Sequence, residues 1–572
     1  MIAEEKKPGL VSILKPYKGL VFLLVILTIL PSALNLVVPK IISNAIDDFA
    51  QGGFVLRTVV IEFSVVAILI FILTYLQSVA QVYAAERVAR DLRTKVAAKI
   101  SRQDYSFIDR ATPAKLLTNL TSDVDAVKSF IAQAISSIVS SVFLIIGASV
   151  LLLMTDWRLA LAVLAVVPFI GATFYFVLAK VRKLFLRAQA AIDWLNKVIN
   201  ESILGSALIR LVNSQAQEYG KFTKANVEAR DISLDILSLF AALVPVITFL
   251  TNVATLIIVV LGGHFIIAGS LSLGGFTAFN NYLAILIFPI LILGFMSNVI
   301  AQADASYARI ADVLVSPDAK DGGTRKAALT GAISFRNVTL QKGEKPILKD
   351  VSFEAKPGTR TAIIGPTAAG KTQLLYVLTG LARPDAGAVR YDGVDIGEYD
   401  KQSLYSQIGF VFQDSILFNL TLRENIAFSN TVSDEGLKRA IDTAELGDFV
   451  DALPDRLDTV VSERGTSLSG GQKQRVMLAR ALALEPKILL LDDFTARVDV
   501  RTERKILKNV RDNYPGLTLI SVTQKIVSVE DYDQIVLLED GEIIARGTHA
   551  ELMKNSPEYV QIFDSQESTE HL

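Results

Sequence analysis

The sequence contains no cysteine. Disulfide frameworks, thiolate metal sites and thiol catalysis are thereby excluded, and the redox compartment cannot be read. Histidine is almost as scarce, with 3 in the chain: His264, His549 and His571. Charged residues make up only 20% of the 572 residues against 51% hydrophobic, and the mean hydropathy is +0.43. That balance is too apolar for an ordinary soluble protein. A formal net charge of −1 lacks the basic excess of a general nucleic-acid binder, so no nucleic-acid partner is expected. No cleavable signal peptide is evident, because the first apolar run, near Leu20, is long and no convincing small-residue cleavage site follows it.

What is present is a set of long apolar runs, near residues 19–43, 57–84, 127–154, 158–181, 237–268 and 275–302. Each exceeds the roughly 20 residues that cross a bilayer. Together they predict a six-span, α-helical transmembrane domain over residues 1–315, with the lipid bilayer as its partner. Lys6, Lys7, Lys15 and Lys18 surround Leu10–Tyr17, which predicts a short amphipathic helix at the cytoplasmic interface. Arg87, Arg90, Arg93, Lys95, Lys99 and Arg102 follow the second run; Lys180, Arg182, Lys183 and Arg187 follow the fourth. The connections near 44–56 and 155–157 hold Asp47, Asp48 and Asp156 without lysine or arginine. Positive charge gathers on the cytoplasmic side, so both termini are expected there. Inside the spans, Pro31, Asn35, Glu62, Asn280, Asn281, Pro289, Asn298 and Gln302 could line a substrate cavity or bond helices together.

Residues 316–331, SPDAKDGGTRKAALTG, replace hydrophobicity with Gly, Pro and charge and mark a linker. Strand–helix alternation over 332–566 predicts an α/β domain, opening with an antiparallel pair at Ile333–Leu340 and Val351–Ala355. Residues 567–572 are polar and expected to be loose. Within the α/β domain, Gly365-Pro366-Thr367-Ala368-Ala369-Gly370-Lys371-Thr372 fits the phosphate-loop pattern G-x-x-x-x-G-K-[ST]. It follows an apolar run at Thr361–Ile364 and precedes a helix-favouring one. Its glycines let backbone N–H groups cradle phosphates, Lys371 would reach the terminal phosphates, and the Thr372 hydroxyl would ligate Mg²⁺. A second landmark is Leu468–Asp499, LSGGQKQRVMLARALALEPKILLLDDFTARVD. Its Ser-Gly-Gly turn opens a helix, a seat for a phosphate, and its apolar strand ends on Asp492 and Asp493.

This pair of motifs resembles the nucleotide-binding domain of ABC transporters, and Leu468–Gln472 matches that family's signature. The resemblance covers essentially the whole chain and implies an exporter-type half-transporter: six spans followed by one α/β P-loop ABC domain, with ATP and Mg²⁺ as cofactors. It implies that Ser469, Gly470, Gly471 and Gln472 contact ATP held by a partner subunit. Gln413 falls where the family has its Q-loop glutamine, with a metal and catalytic role. Asp492 matches the Walker B aspartate, a metal ligand, and Asp499 the D-loop. Glu463-Arg464-Gly465 resembles the segment that meets a partner's cytoplasmic loops. Gly547–Leu552 resembles the start of the family's last helix, where His549 is structural. Coupling helices are expected near Pro113–Ser122 and Ala207–Gln215.

Three positions depart from the family pattern. The catalytic position after Asp492 carries Asp493 in place of glutamate. The switch histidine is replaced by Gln524, which can hydrogen-bond a phosphate oxygen but carries no proton or charge. No aromatic lies at Leu340–Gly343, where the family stacks adenine. With the signature intact, these changes imply a chain that binds ATP, hydrolyses it weakly and completes a competent site on a different half-transporter. The expected assembly is a heterodimeric exporter of drugs, lipids or other amphipathic small molecules, in a prokaryotic plasma membrane. A homodimeric pump and an exporter-fold importer of metal chelates are the alternatives.

Overall fold

The computed structural model describes residues 9–319, 322–343, 345–462, 465 and 467–570, with backbone alone at 495–496 and 567–570. Lys6, Lys7, Glu463, Arg464 and His571 lie outside the described residues. The chain divides into two units. One takes residues up to Arg102 and Ala111–Pro317; the other takes Gln103–Arg110 and everything from Asp318 onward.

Six helical runs of the first unit are long and apolar enough to cross a bilayer: Leu10–Ala50, Leu56–Ser101, Pro113–Thr155, Trp157–Leu204, Gln215–Ile267 and Leu273–Val315. They cover the six apolar runs of the sequence, the fifth to within one residue of its end. Gln215–Ile267 has 53 residues. At 1.5 Å per residue it extends about 80 Å, well past a hydrocarbon core of about 30 Å. Leu10–Tyr17 is a 3₁₀ helix with Pro16 inside, running straight into the first span. Pro16 lacks the N–H that a regular α-helical turn would use. Leu152, Leu159, Phe279 and Leu286 pack in the interior. Phe63, Phe71 and Tyr75 of the second run stand outward, which lipid tolerates.

The expected coupling position at Pro113–Ser122 needs correction. That stretch belongs to the first unit, with Pro113 at the first position of the helix Pro113–Leu120, where proline is simply favoured. The piece of this connection that belongs to the second unit is Gln103–Arg110. Tyr105 meets Tyr376 edge-on at 5.6 Å, Asp104 lies 3.9 Å from both Arg383 and Lys401, and Asp109 lies 3.4 Å from Lys342. At the other expected position a short helix, Ser206–Leu211, follows Gly205, with Leu208 and Leu211 exposed.

In the second unit, β1 (Ile333–Lys342), β2 (Lys345–Ala355), β4 (Ala386–Tyr391) and β5 (Val394–Asp395) form an antiparallel sheet ordered β2-β1-β4-β5. A six-stranded sheet is built from β3 (Arg360–Ile364), β6 (Ile408–Val411), β7 (Ile488–Asp492), β8 (Thr518–Val522), β9 (Gln534–Glu539) and β10 (Glu542–Gly547). Its order is β10-β9-β3-β8-β7-β6, parallel throughout except for β10. Both faces are covered, as parallel sheets require. Ala362, Leu489 and Leu491 enter one core; Ile363, Ile488 and Leu490 enter the other.

Both ends of the α/β unit carry defined structure. Within 316–331, Leu329 is buried in the α/β core, and the Thr330 hydroxyl and N–H donate to Asp392 at 2.5 and 2.7 Å. That end of the stretch is held by backbone polar groups, which composition does not register. The last helix, Pro557–Glu570, runs past Gln566. Extending a formed helix by one residue adds a hydrogen bond at little entropic cost, even where the side chains are polar.

Candidate functional site

The carboxyl ends of β3, β8, β7 and β6 lie side by side at one edge of the six-stranded sheet. This is where open α/β sheets hold ligands. β3 feeds the phosphate loop, β8 feeds Thr523 and Gln524, β7 ends on Asp492 and Asp493, and β6 leads to Gln413. A cavity of about 310 Å³ at this edge is lined by Thr367–Thr372, Gln413, Asp492, Asp493 and Gln524. Residues 120 positions apart, Thr372 and Asp492, are hydrogen-bonded there.

The loop's geometry depends on its small residues. Gly365 and Gly370 have φ of +152° and +96°, and Ala368 has +69°. A Cβ on Gly370 would sit 2.8 Å from the Ile347 carbonyl oxygen. Lys371 Nζ donates to the carbonyl oxygens of Gly365 and Pro366 at 2.8 and 2.7 Å, pinning the loop from its rear. Burial pushes the Lys371 ammonium below its ordinary range, while the Asp493 and Asp492 carboxylates oppose that shift. Gly370 caps the helix Lys371–Leu378, so unpaired N–H groups open into the cavity.

Asp492 is 1% exposed. Its Oδ1 accepts from the Thr372 hydroxyl at 3.1 Å, and its Oδ2 is buried without a partner among the described residues. Burial raises its pKa to about 6, against the opposing Thr372 hydrogen bond. An orphaned carboxylate oxygen beside a threonine hydroxyl, with Gln413 in the same cavity, fits a divalent cation. Among the described residues no three His, Asp or Glu side chains cluster as a metal cage. The pocket therefore offers a partial shell that phosphate oxygens would complete. Asp493 has φ +48°, a region that Asp enters more readily than longer or branched residues.

The signature residues lie outside this cavity. Ser469 caps the helix Gly470–Leu482 in a reciprocal pair with Gln472: Gln472 N–H donates to Ser469 Oγ, and Ser469 N–H donates to Gln472 Oε1. A Cβ on Gly471 would lie 2.8 Å from the Arg497 carbonyl oxygen. Asp499 is the N-cap of Val500–Asn513, accepting from Thr502 N–H at 2.9 Å. His549 sits 2.8 Å from the Tyr559 hydroxyl, within the domain's packing. Ile347, Gln373 and Val522 also line the phosphate cavity. Gln373 follows directly on the loop, whereas Ile347 on β2 and Val522 on β8 reach the cavity through tertiary packing that their spacing does not mark.

Residues 21–290 match the ABC transporter transmembrane region family, and residues 348–496 match the ABC transporter family. The uncharacterized ABC transporter ATP-binding protein YfiB of Bacillus subtilis is 33% identical over 97% of this chain and 98% of its own. This chain belongs to the ABC transporter family. The ATP-dependent lipid A-core flippase of Syntrophus aciditrophicus is 29% identical over 86% of this transporter chain and 83% of its own. The probable multidrug resistance ABC transporter protein YheI of Bacillus subtilis is also 29% identical, over 95% and 94%. In fold, the transporter chain resembles the structure of a bacterial Atm1-family ABC exporter with ATP bound. The TM-score is 0.79 and the identity 24%, covering 96% of this chain and 98% of that one. It is an integral membrane protein with an ABC ATPase domain.

Proposed function

We propose that this chain is one half of a heterodimeric exporter, binding Mg²⁺ and ATP at a degenerate site and lending its signature to a hydrolytic site on its partner. The observation that carries this is the presence of Asp493 and Gln524 together in the cavity of the phosphate loop. Both stand where chemistry on a terminal phosphate would be driven. In this reading, Gly365–Thr372 cradle the phosphates, and Lys371 neutralises their outermost charge. Thr372, Asp492 and Gln413 would hold the cation, which would supply charge neutralisation to the phosphates. Asp493 orients the attacking water from one methylene too far back. A displacement of about 1 Å can cost on the order of a hundredfold in rate. Gln524 donates a hydrogen bond but no positive charge.

Ser469–Gln472 present an ordered helix start to the partner's nucleotide. Both termini face the cytoplasm of a prokaryotic cell. The cargo is an amphipathic drug or lipid, as the names of the multidrug and lipid A-core relatives suggest for their own substrates. The test is to purify the chain alone and with a homologous half that carries the glutamate and histidine. Slow ATP turnover alone and fast turnover together are expected; fast turnover by the single chain would overturn the assignment.

A further inference from the structure

A second cavity, of about 420 Å³, lies wholly within the helical unit. Asn35, Gln77, Gln81, Ser136 and Ser137 contribute to its polar side, and Leu144, Phe288 and Ile292 to its apolar side. Among its lining residues there is no Asp, Glu, Lys, Arg or His. Of the polar span residues singled out in the sequence, Asn35 lines it, together with Pro289; the serines and glutamines were not anticipated.

Ser140, on the same wall, is bonded to Ser32 across two helices at 2.9 Å, but one hydroxyl is not committed to helix packing. Thr28, Ser32, Thr173, Thr251 and Thr255 each donate to the carbonyl four residues back, the usual resting place for a hydroxyl in a helix. Ser136 does not. It is 4% exposed, and its Oγ has no hydrogen-bond partner among the described residues. The reason lies just upstream, where Phe130–Ala134 form a π-turn and Ile135 N–H bonds to Phe130 O. A π-turn changes the hydrogen-bond register of the carbonyls that a following hydroxyl would use. Pro31 lies within the continuous helix of the first span, four residues before Asn35, whose amide donates to the Pro31 carbonyl at 2.9 Å. Pro289 lies within the continuous helix of the sixth, at the cavity wall. Two in-helix prolines and a π-turn thus lie on or near one uncharged polar pocket. At membrane depth, helix prolines and π-turns free backbone polar groups that a cavity can accommodate.

We propose that this cavity is an intramembrane subsite for the neutral headgroup of an amphipathic molecule, one bearing hydroxyls or amides, with its tail against Leu144, Phe288 and Ile292. Resting as it does on the transporter assignment, the subsite narrows the cargo to uncharged amphiphiles. A charged headgroup would find no counter-ion on the wall and would remain in the aqueous interface. A hydroxyl-rich one would satisfy Ser136 and share donors and acceptors with the amides.

The absence of native cysteine supplies the test. Full-length Ser137→Cys and Gln81→Cys chains in phosphatidylcholine nanodiscs are labelled with N-ethylmaleimide. Labelling is timed with octyl glucoside, octyl sulfate or octyltrimethylammonium at matched membrane concentration. Val79→Cys, an outward position on the second span, is the control. Octyl glucoside should slow labelling of both cavity cysteines by about tenfold, the equivalent of one or two hydrogen bonds. The charged probes and the control should show little effect, and Ser136→Ala should erode the protection. Equal protection by all three probes, preference for a charged probe, absence of protection, or cavity cysteines unreactive without any probe would each overturn the subsite. The readout needs neither ATP nor a partner. Its failure would leave the transporter assignment intact, and protection without ATP-driven transport would count against that assignment alone.

Discussion

The Thr372 hydroxyl donates to Asp492 Oδ1 at 3.1 Å, while Asp492 Oδ2 stays buried and unpartnered among the described residues. One oxygen is bonded to the phosphate loop, and under the proposed function the other is the one offered to a cation. Burial holds the carboxylate's pKa at about 6, so a proton competes with the metal over an unusually high range. Mn²⁺ binding with ATP, followed by electron paramagnetic resonance, should weaken by about tenfold per pH unit below pH 6. Without metal the sign reverses. The unfolded carboxylate ionises near pH 4 and the folded one near 6, so this group's contribution to stability falls as pH rises between them. Asp492→Asn should flatten both profiles.

The weak chemistry assigned to this chain turns on two side chains and should be repairable. Asp493→Glu with Gln524→His should raise ATP turnover of the isolated chain by at least about tenfold, since about 1 Å of reach is worth on the order of a hundredfold. Asp493→Asn should change turnover of the full complex far less than the corresponding change in the partner. Steady-state phosphate release measures both. An inert double variant that still binds ATP would count against the degenerate-site assignment.

Ser469 and Gln472 hold each other across the start of the signature helix. Ser469→Ala removes that cap and, under the proposed function, the hydroxyl offered to a partner's nucleotide. It should cost about 1 kcal/mol of local helix stability. Together with Gly470→Asp it should abolish turnover of the complex while leaving ATP binding by this chain's own phosphate loop unchanged. Fluorescent-nucleotide titration beside phosphate release separates the two.

Gly370 combines φ +96° with a Cβ position 2.8 Å from the Ile347 carbonyl oxygen. Gly370→Ala should therefore displace the loop. ATP affinity should fall by at least about tenfold, the equivalent of roughly 1.4 kcal/mol. Gly343, with φ +65° and open space around it, is the comparison. Gly343→Ala should leave ATP affinity nearly unchanged, as measured by calorimetry.

Arg480, on the signature helix, donates to Asn425 O at 2.6 Å, Asn425 Oδ1 at 2.9 Å and Ile416 O at 3.0 Å, and lies 5.2 Å from the Phe428 ring centre. Burial lowers its pKa to about 10. Its partners follow Gln413 in the chain, so it ties the signature helix to that loop. Arg480→Lys keeps a charge but loses the planar fork. It should destabilise the domain by about 1–3 kcal/mol, read as a lower unfolding temperature.

The sequence by itself determined the two-part plan, the spans and the phosphate loop. Each is local: about 20 apolar residues suffice to cross lipid, and Gly365–Thr372 needs only a strand before it and a helix after it. The resemblance to the ABC family also marked Asp493 and Gln524 as departures, because a family motif position names its expected occupant. Tertiary structure alone decided which distant residues meet. The order β3-β8-β7-β6 puts Gln524, Asp492 and Gln413 around one cavity, and strand order is set by packing, which no single segment encodes. It also moved the second unit's share of the first connection to Gln103–Arg110, where Tyr105 finds Tyr376. And it left Ser136 without a hydrogen-bond partner among the described residues, just after a five-residue π-turn that leaves no mark in residue type.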